Sequence, residues 1–351
     1  RAYFLQIFGI MGSLTEDMFL QYQYTEKKIL KVFLEKNKEG LYEVKEDFSK
    51  DFDELFEMLE NRSKEIHNHP DPILELTERE IKEFFNDKPD VVYIPAGRSM
   101  ITLLSNQMNY IYSSMDDIQK RNMDYCTRSY LEKILQMKSV FTISPVEMLN
   151  DVIAMTYIKI DEERAKESIS LMKQLLQGEY INKDGEERLQ VSKNRYVKLN
   201  YASSGQQEVV WILNVLFYYL LNGESTYFII EEPESHLFPN SQKLVMEFIA
   251  LVCNGNGNQL FLTTHSPYIL GTINNLLYAD KVSGNVDESE LNRIISKNKW
   301  LNFDKVNAIF VQNGKIKSCL DKEFKSIENE VIDGASEQIN EDYDKMLELK
   351  G

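Results

Sequence analysis

Between Tyr196 and Ser266 the hydrophobic pattern switches repeatedly between the periods of strand and helix, and this alternation constrains the fold more than any other stretch. Tyr196 to Leu199 reads as a short strand, Val209 to Leu221 as an apolar helix, "TYFIIEE" as a strand, Ser241 to Cys253 as a helix and "QLFLTTHS" as a strand. Strands joined through a helix-length crossover run parallel, because a tight turn can only reverse the chain. An α/β fold with a mixed, mostly parallel sheet is therefore expected. The run from Val209 is interrupted by Asn214 and is too short to cross a bilayer comfortably, so it reads as a buried core helix and no membrane partner is expected.

Upstream, "AYFLQIFGIM" and "GLYEVKEDF" read as strands around a lysine-rich helical segment, and Asp51 to Asn86 as an acidic helical stretch. "DVVYIPAGRSM" reads as a buried strand that stops at Pro95 and turns through Gly97 into a helix from Met100 to Ser113. Residues 115–177 are helical in pattern and break near Pro145. "GEYINKDGEERLQV" reads as a hairpin whose Asp184-Gly185 pair suits a type I′ turn. A second hairpin turns at Asn313-Gly314, and a polar helix closes the chain.

Charge decides which partners are plausible. The 351 residues carry a net charge of -16, which argues against a surface built mainly to neutralise phosphates. Lys27, Lys28, Lys31, Lys36 and Lys38 are interleaved with Glu26, Glu35 and Glu39, the pattern of a solvated helix face. Cys126, Cys253 and Cys319 lie far apart with no C-x-x-C spacing, so neither a disulfide framework nor a thiolate zinc site is expected, and the compartment reads as reducing and cytoplasmic. No signal peptide is recognisable, and the first residue is Arg1 rather than methionine, so an upstream segment is expected. His67 and His69 lack further ligands in reach, and Asp342 and Asp344 sit in a polar helix; neither pair reads as a metal site.

Three short stretches carry chemistry. In "NYASSGQQEVVWIL", Ser203 or Ser204 can cap the apolar helix and Gly205 can ease the turn; the same helix end can also face an anion. In "YFIIEEPESHLFP", Glu231 and Glu232 end an apolar strand, where adjacent carboxylates repel each other and need a reason. One reason is Mg²⁺, which takes one or two carboxylates together with substrate phosphates while the neighbouring carboxylate positions a water; the other is an acidic strand end facing solvent. In "FLTTHSP", His265 stands at a strand tip, where it either donates to a phosphate or serves as a hydrogen-bonded structural residue.

Taken in order, these stretches resemble the head of ABC-type ATPases, and "EEPESHLFPNSQ" with "YIPAGRS" more narrowly resembles the SMC-like AAA ATPases of bacteria related to the overcoming-lysogenization-defect proteins. "ASSGQ" resembles the signature motif, "FIIEE" the Walker B strand, "ESHLFP" the D-loop and "TTHS" the switch-histidine segment. The resemblance implies an ABC-type P-loop NTPase head in which two copies sandwich ATP and Mg²⁺. Ser203, Ser204, Gly205 and Gln206 would meet the partner's ATP in trans, with Ser235 and His236 on the D-loop. Glu231 would hold Mg²⁺ through water, Glu232 would orient the attacking water, and His265 would complete the catalytic set. Arg98 is a weaker candidate for a nucleotide or interface contact, with a structural salt bridge as the alternative.

This pattern implies an N-terminal lobe over 1–114, a helical insertion over 115–177, a lobe over 178–321 carrying the signature, Walker B and switch histidine, and a C-terminal helix over 322–351. Ser204 stands where the usual motif has a second glycine, and no G-x-x-x-x-G-K-[ST] occurs: "FGIMGSL" lacks the lysine and "NGESTYF" has glutamate in its place. The P-loop of the resembling family would precede Arg1. The stretch after His265 is short for a last hairpin plus a TOPRIM nuclease, so an effector in trans, a nuclease or toxin as in antiphage defence, is the expected partner. A DNA-repair or chromosome-maintenance ATPase that clamps nucleic acid, and a non-catalytic nucleotide-gated scaffold, are the alternatives.

Overall fold

The computed structural model describes residues 19–23, 29–36, 42–48, 50–65, 90–99, 101–102, 110, 113–116, 125–155, 160–328 and 340–348. The chain divides into two compact units, Arg1–Lys88 and Pro89–Gly351. The division falls ahead of the "DVVYI" strand, whereas the sequence places a lobe boundary at 114.

In the first unit, β1 (Phe19–Gln23), β2 (Ile29–Lys36) and β3 (Tyr42–Phe48) form an antiparallel meander, followed by α1 (Lys50–Glu65). The lysine-rich stretch expected as a helix is thus a strand. "ILKVFLEK" is rich in β-branched and aromatic residues, and it is paired along both edges, so its backbone groups are satisfied in the sheet. Lys31 stands opposite Asp47, 3.8 Å away, a cross-strand pair rather than a helix-face charge. "AYFLQIFGIM", Lys27, Lys28, Lys38, His67 and His69 lie outside the described residues.

The second unit begins with β4 (Asp90–Ile94), then α2 (Tyr125–Met137), α3 (Pro145–Ala154) and α4 (Glu162–Leu176). An antiparallel sheet follows, β5 (Glu179–Lys183), β6 (Glu186–Ser192) and β7 (Arg195–Lys198). Next come α5 (Ser204–Asn222), β8 (Thr226–Glu231), α6 (Pro239–Cys253), β9 (Gln259–Thr263) and α7 (Pro267–Val282). After α8 (Glu288–Ile294), β10 (Ile309–Gln312) and β11 (Lys315–Ser318) pair as a hairpin. Residues 340–348 are helical.

Local chemistry explains the boundaries. Three helices start on proline, at Pro145, Pro239 and Pro267, where the missing N–H costs nothing because the first amides of a helix have no partner within it. Asp184 and Gly185 both take positive φ, 52° and 79°, as a type I′ turn requires. Ser203 and Gln206 close a capping box at the start of α5, and Gly223 ends that helix with φ 72°.

β4, β8 and β9 form a parallel sheet in the order β4-β8-β9. Val92, Ile94, Phe228 and Ile230 are buried on one face, where α5 packs with the Tyr219 ring edge-on to Phe228 at 5.8 Å. On the alternate face, Val91 and Phe261 are about half exposed, at 53% and 48%. α4 and α6 pack against α5, and α7 against α6, so α4, from the stretch assigned to an insertion, belongs to the central helical layer. Arg164 of α4 reaches the Leu251 and Asn298 carbonyls at 2.5 and 3.0 Å and ties that layer to the chain beyond α7. Cys253 and Cys319 are free thiols; burial pushes the Cys253 thiol up to about 12, which leaves it inert at neutral pH. Among the described residues no helix is long and apolar enough to cross a membrane.

Candidate active site

β8 carries its two carboxylates to the C-terminal edge of the parallel sheet. Glu231 is half-buried, and its Oε2 accepts the Ala96 amide at 3.2 Å, which leaves Oε1 without a partner among the described residues. At Glu232 the chain leaves the strand in the left-handed region, φ 41°. Its amide still donates to the Thr263 carbonyl of β9 at 3.0 Å, so the turn away from the sheet occurs at this residue. The Glu232 carboxylate accepts the Ser235 hydroxyl at 3.2 Å and lies 3.5 Å from His265 Nε2. Two of the expected catalytic groups, from separate strands, are thereby adjacent. The imidazole is open, with 85% of its side chain exposed. A carboxylate acceptor beside an accessible imidazole can orient a water and exchange a proton with it.

The backbone of His265 is set by a residue the sequence reading passed over. Glu234 Oε1 accepts both the Thr264 hydroxyl and the His265 amide, each at 2.7 Å. Ser266 then caps α7 by accepting the Tyr268 and Ile269 amides, and its own hydroxyl donates to Gln242 of α6. Glu234 sits in a run of acidic and polar residues, so only the spatial closeness of two strand ends marks it.

The N-terminus of α5 lies against the turn after β8. Ser203 and Ser204 are exposed, whereas Gly205 is buried, and a Cβ at Gly205 would stand 2.8 Å from the His236 carbonyl oxygen. His236 has φ 60°. The expected signature and D-loop stretches are therefore packed backbone to backbone. The Ser204 and Gly205 amides have no hydrogen-bond partner among the described residues, the usual condition of a helix's first turn. Gln206 is committed within the chain: its Oε1 accepts the Ser203 amide at 3.0 Å and its Nε2 donates to the Leu176 carbonyl at 2.7 Å.

Arg98 does not face solvent. It is fully buried, with Nε 3.3 Å from Glu208 Oε2, so the nucleotide or interface contact is replaced by the salt-bridge alternative. Glu208 is also fully buried, and its carboxylate accepts the Arg98 and Ser99 amides at 3.0 and 2.8 Å. The sequence signal for this pair is weak: Glu208 follows Gln206 and Gln207 at the head of the apolar run from Val209, where a polar helix start is the ordinary reading, although a carboxylate in a core needs a cation or several donors. Which cation it finds is a tertiary fact.

Oxygen donors suit Mg²⁺, which takes one or two carboxylates and completes its shell with water and phosphate. Among the described residues no group of three or more His, Cys, Asp or Glu side chains could hold a metal by itself. Asp342 lies 3.8 Å from Lys345 on the 340–348 helix, a solvated ion pair.

A family model described as an AAA ATPase domain matches residues 12–270, more than half of the chain. The chain belongs to the AAA ATPase domain family. That family binds and hydrolyses ATP, and the parallel sheet with its crossover helices is the matching α/β architecture. Within the AAA ATPase domain, the matched residues include Arg98, the α5 N-terminus, both β8 carboxylates and His265. No curated protein matches the chain.

Proposed function

We propose that this AAA ATPase domain is an ABC-type, SMC-like ATPase subunit, related to the overcoming-lysogenization-defect group, that closes as a dimer around ATP and Mg²⁺ and controls an effector in trans. A nuclease or toxin held in a cytoplasmic antiphage system fits this role. The observation that carries the reading is the convergence of Glu232 and His265 at 3.5 Å, on the turn that packs against the N-terminus of α5 with its exposed Ser203 and Ser204. In it, Glu231 would hold Mg²⁺ through water, and the ion would supply charge stabilisation to the phosphates. Glu232 orients the attacking water, His265 shares a proton with it or donates to the terminal phosphate, and Ser235 fixes the Glu232 rotamer. Ser203, Ser204 and Gly205 present a positive helix end and small side chains to the partner's γ-phosphate.

The test is nucleotide-dependent dimerisation of the full-length protein, followed by light scattering alongside ATP turnover. Glu232→Gln keeps shape but loses the water-orienting carboxylate, so it should dimerise with ATP and cleave it at least about a hundredfold more slowly. Ser203→Arg should stay folded and fail to dimerise. If Ser203→Arg dimerises as well as Glu232→Gln, the α5 N-terminus is only a capped helix end.

A specific observation favours a second reading, nucleic-acid clamping. From residue 188 to 207 the chain has four cations and no carboxylate, against a net charge of -16 overall. On the β5-β6-β7 sheet, Arg188 and Lys198 share Glu186, while Lys183, Lys193 and Arg195 have no ion-pair partner among the described residues. Tyr201 nearby is 77% exposed, and the Arg188 guanidinium stacks 4.3 Å from the Tyr196 ring centre. Filter binding of single-stranded DNA would decide: a salt-sensitive affinity lost in Lys193→Glu/Arg195→Glu supports this reading, and no binding removes it.

A further inference from the structure

The Arg98 guanidinium donates four hydrogen bonds to backbone carbonyls of three separate segments. Nε donates to the Glu208 carbonyl at 3.2 Å, Nη1 to the Pro95 and Glu231 carbonyls at 2.5 and 2.7 Å, and Nη2 to the Glu232 carbonyl at 2.9 Å. The acceptors come from the end of β4, the first turns of α5, and both carboxylate-bearing residues of β8. Thr102 adds a second tether by donating to the Gln207 carbonyl at 2.9 Å.

Stability alone does not account for this choice. A buried ion pair can often be exchanged for apolar side chains of similar volume at little cost. What only arginine supplies is a planar fork that reaches several fixed acceptors at once. One of those acceptors belongs to Glu232, whose left-handed φ of 41° is unfavourable for a residue with a Cβ and persists only where its surroundings hold it. Another belongs to Glu208, four residues after Ser204 and so on the same face of α5.

We propose that Arg98 is a positioning residue that locks Glu232 in its left-handed conformation and, through Glu208, ties that lock to the N-terminus of α5. The helix end that meets the partner's phosphate and the carboxylate that orients water then move as one body. Docking of the partner is thereby registered at Glu232 without any contact between Arg98 and nucleotide. The packing of Gly205 against the His236 carbonyl supports the same rigid unit from the other side. This inference rests on the roles proposed above for Glu232 and the α5 N-terminus.

The test is Arg98→Lys in the full-length protein. Lysine keeps the charge beside Glu208, but one ammonium cannot reach Glu208, Glu231 and Glu232 together. ATPase kcat should fall roughly ten- to hundredfold, with KM for ATP within about threefold of wild type. Adding Glu232→Gln should then cost less than it does alone, because the carboxylate is already misplaced. In the same variant, hydrogen exchange at Ser235, whose amide donates to the Glu232 carbonyl at 3.1 Å, should quicken while α6 stays protected. Unchanged kcat in Arg98→Lys, while Glu232→Gln alone abolishes turnover, overturns the coupling and leaves the proposed function standing. If Glu232→Gln alone hydrolyses ATP normally, the proposed function falls, and the exchange at Ser235 decides the lock by itself: unchanged exchange overturns it. Should Arg98→Lys fail to fold, Glu208→Gln, which keeps shape and one acceptor, is read by the same two measurements.

Discussion

Gly205 illustrates how a residue legible in a motif acquires a different reason in space. As part of "ASSGQ" it reads as a small residue that would let a phosphate approach; in the fold it is a small residue that lets the His236 carbonyl approach. Gly205→Ala separates these reasons. Alanine in a helix is favoured over glycine by about 1 kcal/mol. Its Cβ, however, would stand 2.8 Å from a backbone oxygen and 3.1 Å from Leu237 Cδ2, so backbone must shift, at a cost of about 1–3 kcal/mol. The clash should win. Urea unfolding of the variant should show a net loss of stability; a gain would mean that the turn after β8 relaxes freely.

At the scale of elements, α5 organises the unit. It packs against both α4 and α6, which also pack on each other, sets Tyr219 against Phe228 of β8, and is buried almost throughout, which is why its sequence is apolar nearly all round rather than amphipathic. Asn214 breaks that run. It is fully buried, and neither its Nδ2 nor its Oδ1 has a partner among the described residues; one turn earlier, Trp211 Nε1 has none either. Desolvating an unmatched amide costs more than any contact it makes. Asn214→Leu, close in shape, should raise the unfolding free energy by about 1–3 kcal/mol, read from denaturant curves with an unchanged slope. A fall instead would mean that buried water serves both groups.

For the whole second unit, buried ionisable groups set the response to pH. Lys299 lies 2.9 Å from Glu247 of α6 and 3.1 Å from Glu167 of α4. Burial alone would lower its ammonium, yet hydrogen bonds and attraction from those two carboxylates hold it above the usual lysine range. Burial also raises the phenols of Tyr130 and Tyr180, the latter with Glu187 beside it. Each of these groups binds its proton more tightly when folded. Their contribution is therefore complete below the unfolded values, about 10 for tyrosine and 10.4 for lysine, and is lost as pH climbs past them. Denaturant midpoints should stay level from neutral pH to about pH 8.5, decline first as the unfolded chain releases the Cys253 proton that the fold retains, and fall more steeply above about pH 10. Lys299→Met should start lower, with two carboxylates left facing each other, and decline less steeply in alkali. A midpoint that drops between about pH 7 and 8 would contradict this assignment.

What the sequence determined by itself is local and periodic. The strand–helix alternation from Tyr196 to Ser266, the Asp184-Gly185 turn and the Ser203 cap all follow from side-chain period, allowed φ and short-range hydrogen bonds, and each is present in the fold. The family was legible in the same way, because its motifs are short stretches at strand and helix ends. The tertiary structure decided what depends on partners distant in sequence. β2 is a strand because β1 and β3 flank it, against a charge pattern that reads as helix. Arg98 is buried because Glu208, 110 residues away, offers its carboxylate at the same point where the β8 carbonyls converge. Glu234 sets His265 because parallel pairing of β8 and β9 brings their ends together. Periodicity reports which face a residue occupies; only packing reports which groups meet there.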